Sequence, residues 1–232
     1  MSTQNKLVFD IETIGKNFDE LDEISKDFML KYTEGSEEEQ EVKEGTAFYP
    51  LTGEIVVIGM LNPDTNQGKI LVNVNQSVEL PNELEPGITV EKGSEKEIIE
   101  KFWETAKSYE AFVSFYGRGF DVPFLMIRSA ILGIKPSKNL LANRYLNLQP
   151  SYAKHIDLAD QLSFYGASRK KFNLHMWSKA FGIDSPKDKG ITGDNVTALY
   201  SEGKILDIAK YNLGDLKSTA KLYEYWEKYL ST

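Results

Sequence analysis

Apolar positions follow two different periods along the chain. KLVFDIET (6–13) is β-rich and predicts a first strand, and GEIVVIGMLN (53–62) and GKILVNVN (68–75) predict two more, joined by the turn-rich PDTNQ as an antiparallel hairpin. A helical period takes over in SEKEIIEKFWETAKSY (94–109), where Ser94 stands at the N-cap and Ile98, Ile99, Phe102 and Ala106 form one stripe. AFVSFYG (111–117) returns to a strand. PFLMIRSAILG (123–133) opens with Pro and closes with Gly, as a helix does. HIDLADQLS (155–163) reads as a strand or a strand-to-helix segment, and LHMWSKAFG (174–182) as a short helix stopped by Gly182. Residues 205–229 predict a long amphipathic helix with its apolar stripe on Ile205, Ile208, Ala209, Leu216, Ala220, Tyr223 and Trp226. The pattern is that of an α/β protein.

Two stretches between the first and second strands depart from this scaffold. DELDEISKDFMLKY (19–32) predicts an acidic amphipathic helix, and EGSEEEQEVKEGTAF (34–48) a polar, charged connection. Neither holds enough apolar residues for a core of its own. The expected organisation is therefore one domain over 1–232, with an acidic insertion at about 15–50.

At 232 residues and 41% hydrophobic content the chain can close a sizeable core. No run has the length of a membrane span, and MSTQNK is too polar for a secretory signal, so a cytoplasmic location is the default expectation. The absence of cysteine excludes disulfides and thiolate metal sites. The formal net charge of −8 argues against a polyanionic partner until its distribution is considered. Residues 1–110 hold 24 acidic and 10 basic side chains, whereas 111–181 hold only Asp121, Asp157 and Asp160 against ten Lys and Arg. Either an unevenly signed solvated surface or a local basic face fits these numbers, so overall charge does not exclude nucleic acid.

Asp10 and Glu12 interrupt the first predicted strand. Residues two apart on a strand share a face, so both carboxylates project together while Phe9 and Ile11 project to the other side. Two close carboxylates repel unless one is protonated or a cation lies between them, which makes the pair a seat for Mg2+ or Mn2+. A lone D-x-E at a solvated strand end is the bland alternative. Further along, Asp121 lies between a strand and a helix in the apolar FYGRGFDVPFL, and Tyr211 and Asp215 stand four apart on the last helix, stacked on one face.

Taken together, DIET, FDVPFL and YNLGD resemble, in order and spacing, the three motifs of the DEDD superfamily of 3'-to-5' exonucleases in its tyrosine (DEDDy) form. PLTGEIVVIGML, YGRGFDVPFL, HIDLADQLSFYG and SEGKILDIAKYNLGD further resemble stand-alone bacterial proteins related to the proofreading exonuclease domain of family B DNA polymerases. The resemblance covers nearly the whole chain outside the acidic insertion. It implies a ribonuclease H-like fold with a mixed central sheet and flanking helices. It also implies that Asp10, Glu12, Asp121 and Asp215 hold two divalent metal ions, Mg2+ or Mn2+, with Tyr211 orienting the attacking water. The implied reaction is hydrolysis at the 3' end of single-stranded nucleic acid, DNA favoured, releasing nucleoside 5'-monophosphates.

Lys210 occupies the position where the other branch of the superfamily has its histidine, and His155 and His175 fall outside the motifs as structural or surface residues. Tyr116 replaces the asparagine usual five residues before the second-motif aspartate, and either stacks on a base or packs. The resemblance assigns Thr13 and Phe120 to the 3'-terminal nucleotide. Residues 168–172, SRKKF, are either a phosphate contact or a solvated loop. Two rivals accompany this reading: a 3'-to-5' exoribonuclease, and a catalytically weak nucleic-acid-binding or scaffold module. A protein partner for the acidic insertion is a further expectation.

Overall fold

The computed structural model describes residues 5–74, 77–185 and 195–231. Its strands are β1 (Lys6–Gly15), β2 (Gly53–Asn62), β3 (Gln67–Asn73), β4 (Glu83–Glu85), β5 (Ile88–Gly93), β6 (Ala111–Ser114) and β7 (Lys154–Asp157). They form one mixed sheet in the order β4-β5-β3-β2-β1-β6-β7. The expected antiparallel hairpin of β2 and β3 is present, β1 runs antiparallel to β2, and β6 and β7 continue the sheet in parallel with β1.

The helices are α1 (Glu23–Leu30), α2 (Ser36–Glu44), α3 (Glu95–Ala106), α4 (Asp121–Ile131), α5 (Leu158–Leu162), α6 (Leu174–Ala180), α7 (Val196–Ser201) and α8 (Ile205–Tyr229). Alternation along β1 decides which of them it meets. Leu7, Phe9 and Ile11 point into a core with Ile98, Phe102 and Trp103 of α3 and Val122 and Leu125 of α4. Val8 belongs to the opposite core, with Ile208, Leu213 and Leu216 of α8 and Leu158 of α5. Asp10 and Glu12 therefore face α8. Phe9 is fully buried, with its ring 5.7 Å from Phe102 and 6.4 Å from Phe112. Burial of such a side chain stabilises by roughly 1.5–3 kcal/mol, so the strand is clamped directly beneath Asp10.

The β1–β2 pairing shifts register between Glu12 and Thr13, leaving Val56 as the extra residue on β2. Side chains from elsewhere satisfy the bulge. The Ile55 amide donates to Glu95 Oε1 (2.8 Å), its carbonyl accepts from Asn73 Nδ2 (3.1 Å), and Arg128 Nε donates to the same Glu95 oxygen (2.8 Å). Glu95 and Arg128 are both buried, and this shared network binds α3 and α4 to the sheet.

Several boundaries differ from the sequence expectation. Helix α4 begins at Asp121, with Pro123 in its first turn, where the missing N–H leaves no helical bond unmade. The polar run 34–48 contains α2 and a 3-10 turn over Gly45–Phe48, and the helix expected over 19–32 is confined to α1 after a 3-10 turn at Phe18–Glu20. Residues 155–163 divide into the end of β7 and α5, and β6 ends at Ser114. Strands β4 and β5 and helix α7 were not anticipated. The proposed end of the third strand at Asn75 lies outside the described residues.

Candidate active site

Strand β1 and helix α8 form the centre of the site. Oxygens of Asp10, Glu12 and Asp215 all lie within 4.8 Å of one another. Asp121 approaches from the side of β6. The β1–β6 ladder stops at Val8, and the Ile11 amide beyond it donates to Asp121 Oδ1 at 3.0 Å. Asp121 is thus tied to the backbone between Asp10 and Glu12. The four carboxylates nominated by the sequence meet around one strand, although Asp121 stands outside the tight triad.

Burial and like charge act in the same direction here. Asp10 is pushed well above the ordinary carboxylate range, first by burial and then by Asp121, Glu12 and Asp215. Burial raises Asp121 to about 7, against its hydrogen bonds from backbone amides, with Asp157 and Asp215 adding to the rise. The Tyr211 phenol is buried, hydrogen-bonded to Asp215, and raised far above its usual value by burial and by the Asp215, Glu12 and Asp10 charges. It is a neutral hydroxyl at any working pH.

Three supporting residues escape motif reading. Asn212 Nδ2 donates to Asp10 Oδ2 at 2.8 Å and fixes that carboxylate. Gly59 is paired with Asp10 on β2, and a Cβ there would stand 1.9 Å from Asn212 Oδ1 and 2.6 Å from Leu216 Cδ1. Only glycine lets α8 lie this close to the sheet, and an isolated Gly inside the apolar VVIGML was the available signal. The third is Asp157, buried at the end of β7. It accepts from the amides of Tyr116 (2.9 Å), Arg118 (2.8 Å) and Ala159 (2.9 Å), capping α5 while holding the loop that leads into Asp121. An Asp between a strand and a helical run is a cap signal, but its second clasp on the 116–118 loop is not visible in sequence.

The remaining candidates surround this centre. Tyr116 is half-exposed in the left-handed region (φ 62°), its ring 5.7 Å from Lys171 Nζ and packed over Gly119. Thr13 is buried, and its hydroxyl donates to the Ala47 carbonyl at 2.7 Å. Phe120 directly precedes α4, with its ring against Phe124 and Phe48. Residues 168–172 are exposed. His155 is structural: buried between Ser114 Oγ (2.7 Å) and the Leu140 carbonyl (3.1 Å), with burial lowering its pKa to about 3. His175 pairs with Ser185.

The donor set suits a hard divalent cation. It consists of carboxylate oxygens alone, converging closely enough to disfavour ionisation of Asp10, and oxygen-only donors of this kind match Mg2+ or Mn2+. No helix among the described residues is long and apolar enough to cross a membrane.

Residues 56–229 match a family described as predicted 3'-5' exonuclease related to the exonuclease domain of PolB. A DNA polymerase of Methanocaldococcus jannaschii is 30% identical over 156 residues, which cover 61% of this chain and 9% of the polymerase. The structure of the family B DNA polymerase from the hyperthermophilic archaeon Pyrobaculum calidifontis superposes with a TM-score of 0.61 at 16% identity, covering 97% of this chain and 24% of that one. The chain thus spans a small part of either polymerase, and its fold is the ribonuclease H-like fold of a PolB exonuclease domain.

Proposed function

We propose that this chain, which belongs to the family of predicted 3'-5' exonucleases related to the exonuclease domain of PolB, removes nucleotides from the 3' end of single-stranded DNA as 5'-monophosphates, with Mg2+ or Mn2+ held by Asp10, Glu12, Asp121 and Asp215. The observation that carries this reading is the convergence of Asp10, Glu12 and Asp215 oxygens within 4.8 Å beside a buried Asp121. Both similar proteins are named as DNA polymerases, which favours DNA over RNA. Bound at these residues, divalent cations would neutralise the cluster and stabilise charge on the attacking and leaving oxygens of an in-line displacement.

The protein's own groups do the positioning. Tyr211 keeps its proton and shares it with Asp215, so its oxygen can accept from a water and orient it but does not remove a proton. Asn212 holds Asp10 in one orientation, and Asp157 holds the loop carrying Tyr116 and Arg118. Tyr116 offers a half-exposed ring for a base, and Lys171 beside it a cation for a phosphate.

The direct test is a time course on 5'-labelled single-stranded DNA and RNA oligonucleotides with Mg2+ or Mn2+, alongside an Asp10→Ala control. The expected result is a metal-dependent ladder shortening from the 3' end, faster on DNA and absent from the control. No ladder with either metal would sink the proposal, and a faster ladder on RNA would transfer it to a ribonuclease.

A further inference from the structure

The outward face of α8 carries two parallel rows that begin at the site. Lys210, Lys217, Lys221 and Lys228 follow one another at seven, four and seven residues, so they project along one line of the helix, and all four are exposed. At 1.5 Å per residue the row runs about 27 Å. Beside it a second line passes from Tyr211 over Gly214 and Ser218 to Tyr225 and Tyr229. A groove of about 910 Å3 follows these rows: Tyr211 and Tyr225 both line it, with Gly214, Lys217, Ser218 and Lys221 between them, and residues 182–185 form its other wall. Ser218 Oγ donates to the Asp184 carbonyl at 2.9 Å and ties that wall to the helix. Beyond the groove the rings continue. Phe181 meets Tyr225 at 5.2 Å between centroids, Tyr225 stacks on Tyr229 at 6.2 Å, and Lys228 Nζ lies 5.0 Å over the Tyr229 ring. Tyr225 is 38% and Tyr229 64% exposed, on a helix whose inner face already fills the core with Leu216, Leu222 and Trp226. Asp184, Asp207 and Glu224 also border the groove, Glu224 pairing with Lys221 at 3.0 Å and Lys217 with Glu85, whereas Lys210 and Lys228 pair with no carboxylate among the described residues.

We infer that this face of α8 is the path of the single strand upstream of its 3' end, with the lysine row on successive phosphates and Tyr225 and Tyr229 under bases. The inference rests on the nuclease reading above, and it gives that site a second, distant hold on its substrate. A chain with a formal net charge of −8 repels a polyanion, so a strand needs a local line of cations to approach it. Lysines at helical repeats supply that line, and each phosphate they meet releases counterions. The rings add contact that any base can make, because every base has a face to stack. Tyr225 stands fourteen residues from Tyr211, about 21 Å along the helix, so it touches nucleotides that take no part in the reaction. Such a hold is equal before and during bond cleavage. It therefore acts on KM and leaves kcat alone.

Strand length is the test. Single-stranded DNA of about four and of about sixteen nucleotides, the span of site sizes for charged aromatic tracks, is offered to the unmodified chain, to Tyr225→Ala and to the double variant Lys221→Gln with Lys228→Gln. Binding is read by fluorescence anisotropy with Ca2+, and kcat and KM with Mg2+. The unmodified chain is expected to hold the long strand at least about tenfold more tightly than the short one. On the long strand Tyr225→Ala should weaken binding about 5- to 150-fold, the range of a ring stacked on a base, while Tyr225→Phe keeps the ring and binds as before. The lysine variant should flatten the slope of log affinity against log salt by about 1.4, two phosphate contacts on a single strand. On the short strand every variant should stay within about twofold, with kcat unchanged on both. Equal binding of the two lengths, or variants that weaken both strands alike or neither, would overturn the track. A ladder without length dependence would keep the nuclease reading and lose the track; length-dependent binding that the variants abolish, with no ladder in either metal, would do the reverse.

Discussion

From Asp19 to Glu44 the chain carries eleven acidic and three basic side chains, the whole of its formal net charge of −8, yet neither α1 nor α2 buries a residue. Asp10, Glu12, Asp121 and Asp215 are only four, but Glu12 and Asp121 are buried and all four are drawn together by β1, α4 and α8. The insertion disperses its charge into water and local contacts: Asp22 caps α1, Glu38 accepts the Glu34 amide and Lys26 pairs with Glu23. At the site, burial and mutual repulsion outweigh the bonds from Asn212 and the Ile11 amide, and Asp10 and Asp121 shift upward. What distinguishes this cluster from an acidic surface is enforced convergence, and the number of carboxylates is a poor guide to it.

The contrast is broken most sharply at its centre. Asp10→Asn or Asp215→Asn is expected to cut oligonucleotide turnover at least 100-fold, the scale on which a single transition-state electrostatic contact is lost. Thermal unfolding of the metal-free variants should be unchanged or raised, since each removes one of the repelling charges. A variant with undiminished turnover would remove that residue from the site. Tyr211→Phe keeps the buried ring and deletes only an orienting hydroxyl, so a loss of about tenfold in kcat is expected, with the pH profile retained.

Acidity sharpens the comparison further. Asp121 at about 7 and the raised Asp10 bind protons in the folded state at pH values where the unfolded chain, at about 3.8, has released them. Their contribution is therefore full below about pH 4 and lost as pH rises through about 7. The metal-free chain should show a falling Tm from pH 5 to pH 8, with a shallower fall in Asp10→Asn. Millimolar Mg2+ or Mn2+ should raise Tm more at pH 8 than at pH 5; an equal increment at both would place the cation elsewhere. The smallest effect belongs to the insertion. Replacing Glu37, Glu38 and Glu39 together with Gln should leave turnover within twofold and change stability by less than about 0.5 kcal/mol per site, read by the same oligonucleotide and unfolding assays.

What was legible in the sequence follows the range of the interactions involved. Asp10 and Glu12 were readable because strand alternation is local, and the Tyr211–Asp215 pair because helical stacking is local too. The start of α4 was misplaced because Pro123 is a strong first-position signal, while Asp121 takes that position through its bond to Ile11, 110 residues away. The strand 111–117 was overrun because Asp157 captures the Tyr116 and Arg118 amides and bends the chain out of the sheet. Helix α2 was missed because SEEEQEVKE has helical propensity but no apolar stripe, and periodicity is silent where nothing is buried. Strand β4 has only three residues, and Pro and Gly around β4 and β5 resemble loop punctuation. Gly59 needed the packing of α8 against β2 to be understood at all.

The bond from Asn212 to Asp10 spans 202 residues. A folding intermediate with its sheet formed but α8 undocked would hold Asp10 and Glu12 on β1 without Tyr211, Asn212 or Asp215. Such a form would be a bystander to nucleic acid. Assembly of the acid cluster is in this way tied to the docking of α8, so that a molecule with that helix displaced is disarmed by its own geometry.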